Sequence, residues 1–484
     1  MEKLDLLKKA NDYVQTYKSK VNKKYRLKFH LMGECGWIND PNGFVYYNGV
    51  YHCFFQYNPF EPFWNATYWG HAISDDMIKW EYMPIALAPD MDYDKDGCFS
   101  GSAIEKDGKL YLVYTGHINK NHNNYIQTQC LAFSEDGITF QKYTNNPIID
   151  LNDLPDDSNK KDFRDPKIFK MDDYYYMVIA SQDKKGRGQI LLYKSQDLIK
   201  WNYVNTILKN ENIIDEDVWE CPDLFSLCDH DILILSYQKK EGEKVLKSES
   251  IYFVGKMDYE RGNFKIDYYN KLDYGRHFYA PQTTVAPDGR RLMIAWMDNW
   301  NVKIPTQHGH NWAGALTLPR QLEYVNNKLI TKPIYEIERY KKERISVEKN
   351  INNDEIKLDC CNLDTFEVDF SMSFNELKNI DIEFYDKANN KKPFFMMSYN
   401  SILKKFEVEI AECEEIQQEC IPSIAIDDLL KIKLLVDTSS VEIFLNEGEI
   451  VFTYRIYPAE KMDFVKVQIY GQGKISAKIY EIKI

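Results

Sequence analysis

Long hydrophobic runs are missing from this chain of 484 residues. No stretch of about twenty apolar residues is present to cross a bilayer as a helix, so a membrane partner is not expected. The opening stretch, MEKLDLLKKANDYVQTYKSKVNKKY, is crowded with charge and lacks the apolar centre of a secretory signal. A cytoplasmic location is therefore expected. Ten cysteines are scattered without a C-x-x-C pair, and only Cys360 and Cys361 are adjacent. That spacing argues against a disulfide framework or a zinc site and reads as reduced thiols. Basic excess is also missing: Lys and Arg number 61 against 74 Asp and Glu, for a net charge of −13. General nucleic-acid binding is excluded by that balance, although a local basic pocket for one anionic group is not. Nine histidines are dispersed, with one close pair at His308 and His310, and no Gly-rich phosphate loop precedes a helix. Neither a metal nor a cofactor is expected.

Aromatic residues are plentiful: 35 Tyr, 25 Phe and 9 Trp, a composition that suits strands and sugar-binding clefts. Residues 3–20 pattern as a short amphipathic helix, with Leu7, Ala10, Val14 and Tyr17 at three-and-four spacing inside an N-terminal helical segment, 1–24. From residue 25 the rhythm changes. Five segments share a polar start, an apolar strand, a tight turn and a second apolar strand: NDPNGFVYYNGVYHCFFQ, SGSAIEKDGKLYLVYTG, RDPKIFKMDDYYYMVIA, ECPDLFSLCDHDILILS and APQTTVAPDGRRLMIAW. Their turns begin at Asn48, Asp107, Asp172, Asp229 and Asp288, at intervals of 59, 65, 57 and 59 residues. Asn-Gly and Asp-Gly favour hairpins because both central positions tolerate positive φ. A second marker follows each of the first four turns: SDDMIKW, SEDGITF, SQDLIKW and, more loosely, MDYERGNF. In it an aspartate caps a turn and an aromatic packs behind. Each unit has room for about four strands, and radial repetition of four-stranded sheets makes a β-propeller. The chain is expected to be all-β, with a five-bladed β-propeller over 25–334, a charged linker over 335–350 and an antiparallel β-sandwich over 351–484.

In a propeller the starts of the innermost strands converge at one mouth of the central channel. Three of the five starts are acidic: Asp40, Asp165 and Glu220, read as holding equivalent places in blades one, three and four. Blades two and five offer Ser100-Gly101-Ser102 and Tyr279-Ala280-Pro281-Gln282 instead. Converging carboxylates raise one another's pKa and are costly to hold without a task. Two of them flanking a sugar bond suffice for glycoside hydrolysis, one ionised and one holding a proton. Trp37, Trp64, Trp69, Trp219, Trp296, Trp300 and Trp312 lie in or near blade starts and can supply apolar walls. A structural ion pair of Asp165 with Arg164 is the plainer alternative.

At these residues the sequence resembles glycoside hydrolase family 32, the invertases and fructanases. The resemblance is carried by WINDPNG (37–43), FRDP (163–166) and WECPD (219–223), with FSGSA (99–103), FYAPQT (278–283), WAGALTLPR (312–320) and SSVEIFLNEGEIVFTYRIYP (439–458), over about residues 25–480. It implies a retaining β-fructofuranosidase acting on sucrose or sucrose 6-phosphate through a covalent fructosyl intermediate. By that resemblance Asp40 is the nucleophile, Glu220 the general acid and then base, and Asp165 the holder of fructose hydroxyls, with Arg164 beside it. Asn39, Gln56, Trp64 and Ser100 match positions lining a fructose pocket, and Phe99, Arg164 and Trp296 are placed with them as substrate-binding residues. Cys221 is expected to tune the environment of Glu220. One departure stands out: where the family often has an acid before FYA, this chain has Arg276 and His277. With Lys303, His308 and His310 they are read as a basic rim for a phosphate or the leaving sugar, against the alternative of solvated loop residues. Fructan hydrolysis, a pentoside-cleaving inverting propeller and a non-catalytic carbohydrate-binding propeller stay open at this point. So does assembly as a homo-oligomer.

Overall fold

The computed structural model describes residues 5–484 apart from 66, 122–123, 212, 215–217, 243, 361–362, 390, 413–414, 422–425 and 427–428. Two compact units emerge: Met1–Val21, Leu31–Asp273 and His277–Tyr324 form one, and Asn22–His30, Tyr274–Arg276 and Val325–Ile484 the other. Among the described residues no helix is long and apolar enough to cross a membrane. Seven cysteines are free thiols, five of them buried in strands or turns near the core, and Cys361, Cys413 and Cys420 lie outside the described side chains.

The first unit opens with a helix, Leu6–Tyr17, started by the Asp5 carboxylate, which accepts from the Lys8 N–H at 2.9 Å. It turns Ala10 and Val14 inward. Sheets then follow one another around an axis. The first runs Gly36–Tyr47, Val50–Asn58, Tyr68–Ser74 and Glu81–Tyr82, in sequence order. The second runs Gly97–Lys106, Lys109–Asn121, Asn124–Ser134 and Gln141–Lys142. Ser158–Met171, Tyr174–Asp183, Gly188–Ser195 and Asn202–Lys209 form the third, and Val218–Leu227, His230–Glu241, Lys244–Asp258 and Asn263–Lys271 the fourth. The fifth begins Tyr279–Val285, Arg291–Trp296 and Arg320–Val325. Each first strand packs against the first strand of the next sheet, and the fifth packs against the first, so the ring closes. This is a five-bladed β-propeller.

Closure has a specific device. Trp312–Ala313, from the end of the propeller, pairs in parallel with Gly36 and Trp37 at its beginning. Gly314 follows at φ 84°, and a Cβ there would sit 2.0 Å from the Ile38 carbonyl oxygen. Only glycine lets the two backbones meet so closely. The aspartate markers act as the sequence suggests. Asp76, Asp136 and Asp197 each accept two backbone N–H bonds between 2.8 and 3.0 Å from the residues two and three positions on. Ser74, Ser134 and Ser195 hold the same turns from the other side. One short polar motif therefore ends the third strand of three blades identically.

The second unit is a β-sandwich whose layers share three long strands, Lys341–Asp359, Phe366–Asp386 and Met462–Ile482. Bulges at Phe374–Glu376 and Leu377–Asn379 bend the middle one, so its first half pairs with Leu429–Asp437 and its second with Phe395–Asn400. Ile432, Val436, Phe452, Val465 and Ile479 are among the apolar side chains packed between the layers. The charged stretch 335–350, read from the sequence as a linker, is instead a 3-10 turn, Tyr335–Tyr340, and the first half of the Lys341–Asp359 strand. Its alternation of Ile345 and Val347 with charged neighbours is a strand pattern, and both pack on the core.

Candidate active site

All five innermost strands carry a β-bulge at the same depth. The register slips between Ile38 and Pro41, Phe99 and Gly101, Arg164 and Lys167, Glu220 and Asp223, and Tyr279 and Gln282. A bulge inserts an extra residue and re-aims its side chain. Proline sets most of these, since Pro41, Pro166, Pro222 and Pro281 each lack a ladder donor. Asp165, Cys221 and Ala280, each just before its proline, have φ of 63°, 51° and 50°. Left-handed backbone at a non-glycine residue costs about 1–3 kcal/mol and has to be held by its surroundings. Here bonds between blades hold it. Asp165 N–H donates to Thr115 Oγ1 at 3.1 Å, Ala280 N–H to Ser236 Oγ at 3.0 Å and Cys221 N–H to Asp165 Oδ2 at 3.0 Å.

The register corrects one expectation. The three acids do not hold equivalent places: Asp165 is level with Asn39, Cys221 and Ala280, while Glu220 sits one residue earlier, level with Arg164 and Tyr279, and Asp40 one residue later, level with Pro166. The offset gives the two acids different partners. Glu220 Oε1 accepts from Arg164 Nη2 at 3.0 Å and Nε at 3.2 Å, and Oε2 accepts from Tyr279 Oη at 2.5 Å and Gln238 Nε2 at 2.6 Å. Asp40 Oδ2 accepts from Ser100 Oγ at 2.6 Å, and Oδ1 from Asn39 Nδ2 at 3.1 Å. The Asn39 amide is itself oriented by Trp37, whose indole N–H donates to its oxygen at 3.0 Å. Cys221 Sγ bridges the centre, 3.7 Å from Asp40 Oδ2 and 3.6 Å from Asp165 Oδ2.

Burial sets the electrostatics. It pushes the Asp40 carboxyl up to about 6, opposed by the Ser100 hydroxyl and reinforced by the charge of Glu220. It lifts Asp165 to about 7, opposed by Arg164 and reinforced by Glu220 and Asp40. Burial and the three neighbouring carboxylates hold the Cys221 thiol well above its ordinary range, so it is a neutral neighbour of the acids and not a thiolate. Near neutral pH the cluster can therefore present one ionised carboxylate while another titrates, the condition that acid-base cleavage needs.

These groups form one end of a cavity of about 430 Å³, within the roughly 300–1,000 Å³ range of small-molecule sites. Asn39, Asp40, Gln56, Trp64, Phe99, Ser100, Arg164, Asp165 and Glu220, all singled out from the sequence, line it. Trp296 does not: it is fully buried behind the wall, 5.0 Å from the ring of Trp300, which takes the lining position. The supposed basic rim is absent from the lining as well. His277 is fully buried, Lys303 is exposed, and His308 packs its ring edge on Phe63. Several lining residues escaped the sequence reading: His117, Asn119, Tyr125, Gln127, Asp162, Gln238 and Lys240. Most come from second and third strands, where no local motif marks them. Asp162 was the discoverable one, adjoining FRDP.

Comparison with known proteins meets this geometry directly. The glycosyl hydrolases family 32 N-terminal domain matches residues 30–333, and the family 32 C-terminal domain matches 334–484. The chain belongs to glycoside hydrolase family 32. It is a glycoside hydrolase. It is 37% identical to the sucrose-6-phosphate hydrolase of Escherichia coli, over 89% of each chain. Against the sucrose-6-phosphate hydrolase of Bacillus subtilis (strain 168), identity is 34% over 95% of this chain and 94% of the relative. The solved Bombyx mori GH32 beta-fructofuranosidase BmSUC1 superposes with a TM-score of 0.83 at 32% identity, covering 98% of both chains.

Proposed function

We propose that the enzyme is a retaining β-fructofuranosidase of the cytoplasm that splits sucrose or sucrose 6-phosphate, releasing fructose and glucose or glucose 6-phosphate. The observation that carries this reading is the different hydrogen bonding of three carboxylates at one end of a single pocket. Asp40, fixed by Ser100 and Asn39, attacks the anomeric carbon and forms the fructosyl ester. Glu220 gives its proton to the leaving oxygen and then draws one from water. In the ionised form it accepts four donors, and the Tyr279 hydroxyl is the one that can turn round and accept when Glu220 carries the proton. Asp165 takes fructose hydroxyls, with its charge balanced by Arg164 at 4.0 Å. Trp64 and Phe99 bound the sugar on its apolar side.

The relatives named above support the substrate, as does a mutant of the Bombyx mori enzyme solved in complex with sucrose. The test is a panel of sucrose, sucrose 6-phosphate, raffinose, inulin and levan, assayed for free fructose. Fructose is expected from the two small sugars fastest, with activity lost and sugar binding kept in Asp40→Ala and Glu220→Ala. Fructose from none of the five would leave a binding module in its place.

A further inference from the structure

The pocket has an outer wall that the roles above leave unused. Its side chains are joined in one direction. Gln127 Oε1 accepts from the Phe163 N–H at 3.1 Å and from Arg164 Nη1 at 3.4 Å, which turns its amide nitrogen outward. That nitrogen donates to His117 Nδ1 at 3.3 Å, so the imidazole proton is on Nε2, which donates to Asn119 Oδ1 at 3.0 Å. Phe99 stacks on the ring at 4.2 Å and 4° and keeps it flat against the wall. The chain of bonds ends with the Asn119 amide nitrogen as a donor.

Charge completes the picture. Arg164 is spent on Glu220 and on Asp162, at 3.0 and 2.5 Å. Burial keeps the His117 imidazole below its usual range, hence neutral. Lys240 is different: it lines the cavity, is exposed, and has no hydrogen bond or ion pair within 4 Å among the described residues. Its charge reaches Asp162, but that carboxylate is already held by Arg164 and by Tyr125 Oη at 2.9 Å. An ammonium without a partner among the described residues, lining the same cavity as an amide donor, suits a dianion far better than a hydroxyl.

We propose that Lys240 and Asn119 recognise a phosphomonoester on the leaving hexose, so that this wall selects sucrose 6-phosphate over sucrose. The inference rests on the fructosidase reading. With the fructosyl half against Asp40 and Glu220, the leaving half takes the rest of the cavity, which the exposed Lys240 also lines. It also moves the phosphate contact away from Arg276, His277, Lys303, His308 and His310, none of which lines the cavity.

The experiment compares kcat/KM on both sugars for wild type, Lys240→Ala, Asn119→Ala and Arg276→Ala. Lys240→Ala is expected to lose about fivefold or more on sucrose 6-phosphate while staying within about twofold on sucrose, in keeping with one charge-assisted contact. Asn119→Ala is expected to lose less, in the same direction, and Arg276→Ala to leave the preference unchanged. Added salt should erode the preference of the wild type, because Lys240 is exposed. Equal losses on the two sugars, or a preference lost in Arg276→Ala, would overturn the assignment. Should the wild type release no fructose from either sugar, the fructosidase reading fails. Calorimetric binding of glucose 6-phosphate then decides the wall by itself: weaker binding to Lys240→Ala upholds it, and equal binding refutes it.

Discussion

Asp40 is a buried carboxylate held by a hydroxyl, an amide and a thiol, with Glu220 contributing like charge. In the attacking role proposed for it Asp40 works ionised, so kcat/KM should fall as pH drops through about 6, the value to which burial raises it. Ser100 donates to the ionised form and so draws that value down. Ser100→Ala should therefore shift the acidic limb to higher pH, which a pH profile of kcat/KM on sucrose measures; a limb that stays put or moves down contradicts this role. At the same scale the acids were legible in the sequence because each sits beside a proline or cysteine at a blade start. What was not legible is the offset of Glu220 and Asp40 by one residue to either side of Asp165, which depends on where each bulge falls. Trp296 and Trp300 were equally hard to rank, since only three residues lie between a core side chain and a lining one.

The element that makes the site is the bulged inner strand, repeated in every blade. Blade two shows how tightly it is built. A Cβ on Gly101 would lie 2.0 Å from the Val113 carbonyl oxygen and 2.7 Å from the Tyr114 Cα, both backbone atoms. Gly101→Ala should thus cost about 1–3 kcal/mol, as overpacking does, and should lower activity by displacing the preceding Ser100 from Asp40. Urea unfolding together with kcat/KM checks this, and wild-type values for both would show that the bulge is looser than described. Hairpin turns and the aspartate markers were readable because they are local and encoded by two or three residues. The strand over 341–350 reads as a linker because dense charge resembles one, while its pairing depends on distant partners such as Met462–Ile482. Lys240 and Asn119 escaped for the same reason: they stand on second strands, and only the closed ring brings them to the pocket.

At the scale of the molecule, the ring is what allows residues 40, 165 and 220 to meet. The parallel pairing of Trp312–Ala313 with Gly36 and Trp37 closes it beside the Asn39-Asp40 bulge, so the strand of the proposed nucleophile is also the seam. The five-fold period predicted this convergence, because any closed propeller brings its strand starts to one mouth. The distinct duties proposed for the acids rest on their partners: Ser100 and Asn39 for Asp40, four donors for Glu220, and Arg164 and Cys221 for Asp165. The decisive measurement is peptide mass spectrometry on acid-quenched Glu220→Ala after mixing with fructosyl fluoride, whose leaving group departs without a proton. With no base to draw on water, a fructosyl ester should stay on the peptide that carries Asp40, one anhydrohexose heavier and absent in Asp40→Asn. No adduct on that peptide, together with inverted stereochemistry in the fructose released by the wild type, would contradict it.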